Sequence, residues 1–271
     1  MRIRAGYEII YECGAPTPMV ALLSVRPERE ADLETPDELR IDPPLPVRRY
    51  RDSFGNTCSR ILAPAGRVTL SADFVIRDSG QADPTSVDAP QAAVEDLPDE
   101  VLQFLLGSRY CDVQALTPLA WNLFGQEPSG WPLVQAIMDY VHRRIAFGYA
   151  HARPTRTASE AHEEQRGVCR DFAHLAITLC RCMNVPARYV TGYLGDIGVP
   201  ASRDVMDFSA WCEVYLGGAW RTADARHNRP RIGRVLMAHG RDAADVALVT
   251  TFGAADLVGF EVITQELEAS A

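Results

Sequence analysis

Between Gly167 and Tyr193 the chain changes its hydrophobic period once, and that change constrains what can form around it. Phe172, Ala173, Ala176, Leu179 and Met183 recur at three- and four-residue steps, which predicts a helix with one buried face. Asn184-Val-Pro186 stops the helix, and Ala187 to Leu194 is rich in β-formers. Cys169 falls in the first turn of that helix, just after Gly167. There the unpaired backbone N–H groups and the positive end of the helix dipole favour thiolate over thiol. This is the setting of a cysteine nucleophile.

Upstream, the chain reads as β. Ile3, Ala5, Tyr7, Ile9 and Tyr11 alternate, and Val20 to Val25, Val47 to Asp52, Cys58 to Leu62 and Arg67 to Ile76 supply further strands. Short strands separated by Gly, Pro, Asn and Asp turns predict an antiparallel β-sandwich over residues 1–90. From Asp78 to Pro98 the composition turns to Ser, Gly, Ala, Pro, Gln and Asp without an aromatic residue, a linker signature. Residues 91–271 then form a second domain. Helices are expected from Pro98, over Ala120 to Phe124 and over Trp131 to Phe147, with a capping box at Thr157-Ala-Ser-Glu160.

Beyond the cysteine helix, Gly195 to Val205 reads as a loop. Phe208 to Leu216 and Ala219 to Thr222 flank Gly217-Gly218, a strong hairpin signal. Helices followed by an antiparallel sheet make the second domain α+β. A closing strand is expected from Val249 to Val262, and Glu266 to Ala271 reads as a frayed tail.

A cysteine nucleophile needs a proton shuttle, usually histidine, and a group that orients it. The hairpin would bring Ser209 and Asp224 to one open end, within about one residue pair of register. Here the residues reach a known family. Gly-Val-Cys169-Arg-Asp-Phe-Ala-His-Leu, Pro186-Ala-Arg-Tyr-Val-Thr-Gly-Tyr193 and Ala210-Trp211-Cys-Glu213-Val-Tyr215 with Trp220 and Asp224 closely resemble bacterial transglutaminase-like proteins. Those belong to a superfamily of papain-like cysteine peptidases, amide hydrolases and transglutaminases. The resemblance is strong from about Thr157 to Asn228. The leading β-domain also looks like the N-terminal domain that accompanies many bacterial members.

The resemblance implies a transglutaminase/papain-like domain with the Cys169 helix on an antiparallel sheet. It puts the nucleophile at Cys169 and the orienting aspartate at Asp224. The family's histidine should stand immediately before Ala210-Trp211, where this chain has Ser209, and serine cannot act as a base near neutral pH. His227, three residues past Asp224, is a possible substitute base if the strand bends there. His174, five residues past Cys169, points away from it, and His142, His151, His162 and His239 are unplaced. Trp211 and Arg226 are candidate substrate-binding residues. Arg226, Arg229, Arg231, Arg234 and Arg241 could bind an anionic substrate, pair with acids elsewhere or line an interface. Arg170 and Asp171 read as dipole and surface charges.

Two functional readings follow. One is a cysteine peptidase or amidase working through a thioester; the other is a binding or scaffolding module that kept the fold and lost its base. A formal net charge of −9 argues against a nucleic-acid partner, and no apolar run suggests a membrane partner. A peptide or amide substrate and a cytoplasmic location are expected, the location from the glutamate-bearing N-terminus and the seven irregularly spaced cysteines. Those cysteines read as small buried residues, and Cys180-x-Cys182 lacks the spacing of a zinc half-site. No metal or cofactor is expected.

Overall fold

Strand alternation in the first 77 residues builds two antiparallel sheets that share one core. The computed structural model describes residues 1–85, 87–200 and 206–268. Its N-terminal strands are β1 (Arg2–Cys13), β2 (Thr17–Ala21), β3 (Arg40–Asp42), β4 (Arg48–Arg51), β5 (Thr57–Ala63) and β6 (Gly66–Arg77). β1 and β6 pair along their whole length, from Arg2↔Arg77 to Cys13↔Gly66. Ile3, Ala5 and Ile9 of β1 join Val68, Leu70, Phe74 and Ile76 of β6, Met19 of β2 and Ile61 of β5 in one apolar cluster. Burying each large aliphatic or aromatic side chain contributes about 1.5–3 kcal/mol. β2 begins earlier than expected and includes Pro18, whose carbonyl accepts the Phe252 N–H at 2.9 Å.

The middle of the chain is helical. α1 (Asp99–Leu102) is a single turn, followed by α2 (Val113–Phe124) and α3 (Trp131–Arg144). Pro118 lies inside α2, so the helix starts seven residues before the stretch that periodicity marks. A mid-helix proline costs about 3 kcal/mol. Burial of Leu116, Ala120 and Phe124 against the core offsets it. After β7 (Ala146–Phe147), the expected capping box opens α4 (Ala158–Glu164): Thr157 Oγ1 accepts the Glu160 N–H and Glu160 Oε2 accepts the Thr157 N–H. β8 (Arg166–Gly167) pairs with β7 and leads into α5 (Cys169–Cys182).

α5 is buried on nearly every side, where its period predicts one buried face. The helices cover part of it and a sheet the rest, so its polar residues need partners. Arg181 donates to the carbonyls of Leu106, Ala187 and Arg241. His174 is fully buried, stacks on Tyr110 at 5.1 Å, and accepts the Ala243 N–H on Nε2. Burial holds its pKa well below the ordinary histidine value. The covering sheet comprises β9 (Ala187–Tyr193), β10 (Ser209–Leu216), β11 (Ala219–Ala223) and β12 (Val235–Gly240), in the order β11-β10-β9-β12. Gly217 and Gly218, at φ 59° and 75°, make the predicted hairpin turn between β10 and β11. Ala210, Cys212, Val214 and Leu216 of β10 pack with α5 in a second apolar cluster.

The last segment corrects the expected arrangement. β13 (Val249–Thr251) and β14 (Ala255–Leu267), grouped in sequence with residues 91–271, hydrogen-bond to the N-terminal strands instead. The two sheets therefore run β14-β1-β6-β3 and β13-β2-β5-β4. Glu266 and Leu267 pair with Ile3 and Arg2, so the expected fraying does not extend to them; residues 269–271 lie outside the described residues. Of the expected loop from Gly195 to Val205, residues 201–205 also lie outside them. Among the described residues no helix is long and apolar enough to cross a membrane. All seven cysteines are free.

Candidate active site

The turn that presents Cys169 is shaped by the residues beside it. Asp171 Oδ2 accepts the Val168 N–H at 2.8 Å and a bond from the buried Arg156 guanidinium at 2.9 Å. Gly167 makes room for this carboxylate, since a Cβ there would lie 2.5 Å from Asp171 Oδ2. Asp171 is thus a fully buried cap rather than a surface charge. Burial raises its pKa, against the pull of the Val168 N–H and of Arg156.

Cys169 itself is partly buried and opens onto a cavity of about 630 Å³. Tyr189, Thr191, Asp207, Ser209 and Ala210 line it on the sheet side, and Tyr110 lines it on the helical side. Burial pushes the Cys169 thiol up to about 11. Arg226 pulls it down, Asp207 adds to the rise, and the backbone N–H groups of Ala210 and Arg170 pull it down further. The helix start does favour thiolate, by about 0.3–1 kcal/mol up to ~2 kcal/mol. Desolvation outweighs it here and favours the thiol.

Ser209 opens β10 opposite Gly192 of β9. It lines the cavity, but its Oγ is buried without a hydrogen-bond partner. Asp224 stands just past β11. Extending the Cys212↔Ala223 register sets it level with Trp211, two positions from Ser209 rather than one. Its Oδ2 accepts bonds of 2.8 Å from both Arg234 and His227 Nδ1, and its Oδ1 accepts the His227 N–H. Burial would raise this carboxyl, yet the His227 and Arg234 contacts hold it well below the usual carboxylate range. Burial lowers the pKa of His227, and the bond to Asp224 opposes that only in part. No histidine is among the described residues that line the Cys169 cavity.

The other candidates divide. Trp211 is 1% exposed and carries the Arg234 guanidinium 4.7 Å from its ring, so it belongs to the wall behind the site. Arg226 lies over the Phe147 ring at 3.9 Å and acts electrostatically on both Cys169 and Asp207. Of the remaining arginines in its stretch, Arg234 pairs with Asp83 and Asp224, Arg231 donates to the Gly195 carbonyl, and Arg241 pairs with Asp245. Those three serve the fold. The sequence does not mark Asp207, because an acid before a strand carries no signal of its own. Burial raises its pKa, with the Phe208 N–H and Arg226 opposing.

A cysteine at the head of a buried helix, laid on an antiparallel sheet, defines a transglutaminase-like fold. Residues 120–225 match the family model of the transglutaminase-like superfamily. The crystal structure of a candidate cysteine protease from Cytophaga hutchinsonii is similar along the whole chain. It shares 28% identity at a TM-score of 0.85, covering 100% of this chain and 92% of that one. An uncharacterized protein of Mycobacterium leprae is 26% identical over 208 residues, 73% of each chain. An uncharacterized protein of Mycobacterium tuberculosis is 30% identical over 128 residues, 42% of this chain and 40% of its own length.

Proposed function

We propose that the protein is a cysteine-dependent amide hydrolase, a peptidase or amidase, with Cys169 as its nucleophile. The observation that carries this is the sulfur itself, which sits in the first turn of α5 and faces a cavity large enough for a peptide segment. The likeness to the Cytophaga hutchinsonii candidate protease supports the same class of chemistry. Cys169 Sγ attacks the amide carbonyl, and its proton passes to the Asp207 carboxylate, the one carboxylate among the described residues that line the cavity. The Ala210 N–H stabilises the oxyanion. Asp207 returns the proton to the leaving amine, and water then hydrolyses the thioester to release the acid and the thiol. Ser209 takes no part in proton transfer, and Asp224 with His227 braces the sheet end.

Release of a fluorogenic amine from a panel of peptide amides tests the proposal. Activity should vanish in Cys169→Ala and fall in Asp207→Asn. Activity that survives Cys169→Ala overturns it.

A second reading, a binding module without turnover, is favoured by one observation: no imidazole is among the described residues that line the cavity. It predicts no amine release by the natural chain and turnover only in Ser209→His.

A further inference from the structure

The outward face of the β13-β2-β5-β4 sheet carries a row of residues that leads away from the Cys169 cavity. Thr250 on β13 pairs with Val20 on β2, Val20 with Arg60 on β5, and Arg60 with Arg48 on β4. Thr250 lines the Cys169 cavity. Val20, Arg60 and Arg48 line a neighbouring hollow of about 580 Å³, together with Tyr50 and Phe252. Strands lie about 4.8 Å apart, so the row spans roughly 14 Å, the length of four or five extended residues.

Two properties of the row favour a ligand there. Arg48 and Arg60 stand directly opposite each other, and like charges in that position destabilise a sheet. Among the described residues neither has a carboxylate in ion-pair reach, while their neighbour Arg51 is paired with Glu30 at 3.0 Å. Beside them Tyr50 is 42% exposed and Phe252 64% exposed, so apolar surface flanks the two free cations. This occurs on a chain of formal net charge −9, where spare carboxylates are plentiful.

We infer that this face is a docking site for the acidic part of a peptide substrate whose scissile amide lies at Cys169. The guanidiniums of Arg48 and Arg60 take the peptide carboxylates, and Tyr50 and Phe252 take its apolar side chains. The inference rests on the reading of Cys169 as the reactive centre, and it gives the N-terminal sheets a part in substrate choice. A nucleic acid would also seek arginine and aromatic side chains, but the net charge of the whole chain opposes a polyanion.

The test is binding of a fluorescein-labelled twelve-residue peptide rich in Glu and Leu to the full chain carrying Cys169→Ala, so that the result is independent of turnover. Arg48→Gln with Arg60→Gln should weaken binding about tenfold or more, the loss of two charge-assisted contacts. Because the substitutions relieve a repulsion, the thermal midpoint should not fall. Arg49→Gln, on the opposite face of β4, should leave binding unchanged. The inference is overturned if the double variant binds the acidic peptide as well as its parent, if a Lys-for-Glu peptide binds equally, or if a single-stranded oligonucleotide binds more tightly. Loss of binding in the double variant with no Cys169-dependent hydrolysis in the natural chain would sink the catalytic reading alone.

Discussion

Arg234 and Asp224 form a buried ion pair at 2.8 Å, with side chains 5% and 4% exposed, at the position where the family resemblance places an orienting aspartate. Arg234 also donates to Asp83 and lies over Trp211, so one guanidinium ties the linker, the hairpin and the segment after it. Removing one partner of a buried pair leaves an uncompensated charge and costs about 3–5 kcal/mol. Arg234→Met should lower unfolding free energy by that order in urea titration, and an unchanged midpoint would refute the bracing role.

The same pair sets an acid limit. The folded Asp224 carboxyl lies well below its unfolded value, so its stabilisation is present above about pH 4 and is lost as pH falls through the folded value. Asp224→Asn should be less stable near neutrality yet show a flatter dependence between about pH 4 and 2. A parallel curve for variant and parent would remove the linkage.

Cys169 should alkylate like a buried thiol. Its reaction with iodoacetamide should still be accelerating at about pH 10, because burial holds the thiol up near 11. Arg226→Ala should slow the reaction at a fixed alkaline pH, and Asp207→Asn should speed it, following the sign of each charge's effect on the thiolate. A plateau below pH 8 would mean that an activating partner had been missed.

Much of this site was readable from spacing alone, and the rest depended on distance and burial. The start of α5 at Cys169, the Thr157 capping box and the Gly217-Gly218 turn are set by residues within one or two turns of each other, so local pattern reveals them. Pro118 misled because a proline's cost can be offset by packing that the local pattern does not carry. The rise of the Cys169 thiol is hidden for a related reason: a helix start is visible in sequence, whereas the burial of the sulfur is not. The arginine-rich stretch left three readings open, and for Arg234 and Arg231 only their distant partners Asp83, Asp224 and Gly195 decide among them.

Ser209 offers the sharpest contrast of variants. Its Oγ is buried and unpartnered, so Ser209→Ala should leave stability unchanged or slightly raised and leave amine release where it was. Ser209→His should add a base worth about 10²–10⁴ in rate and bring the pH profile toward neutrality. A large loss in Ser209→Ala would give the hydroxyl a role that the geometry does not assign.

His239 predicts a gentler dependence above the acid limit. Burial, with Arg188 and Arg26 adding, holds its pKa down to about 3. Folding therefore keeps the ring neutral, and its contribution is full above the unfolded value of about 6.5 and declines as pH falls from there toward 3. His239→Gln should flatten stability across that window in denaturant titrations; an unaltered slope would exclude the ring as the source.

The pairing of β14 with β1 bears on how the molecule is made. Roughly 240 residues of chain separate Cys13 from its partner Ala255. At about 5–20 residues per second, translation holds these strands apart for some tens of seconds. Until then β1 has an unpaired outer edge, the type of surface that recruits other strands and aggregates. Between them the nascent chain produces α5 and the sheet beneath it, so the nucleophile's helix can dock before the N-terminal sheets are complete. A ribosome-bound chain ending near residue 248 should therefore depend on holdase chaperones, and that dependence should lapse once β14 has emerged.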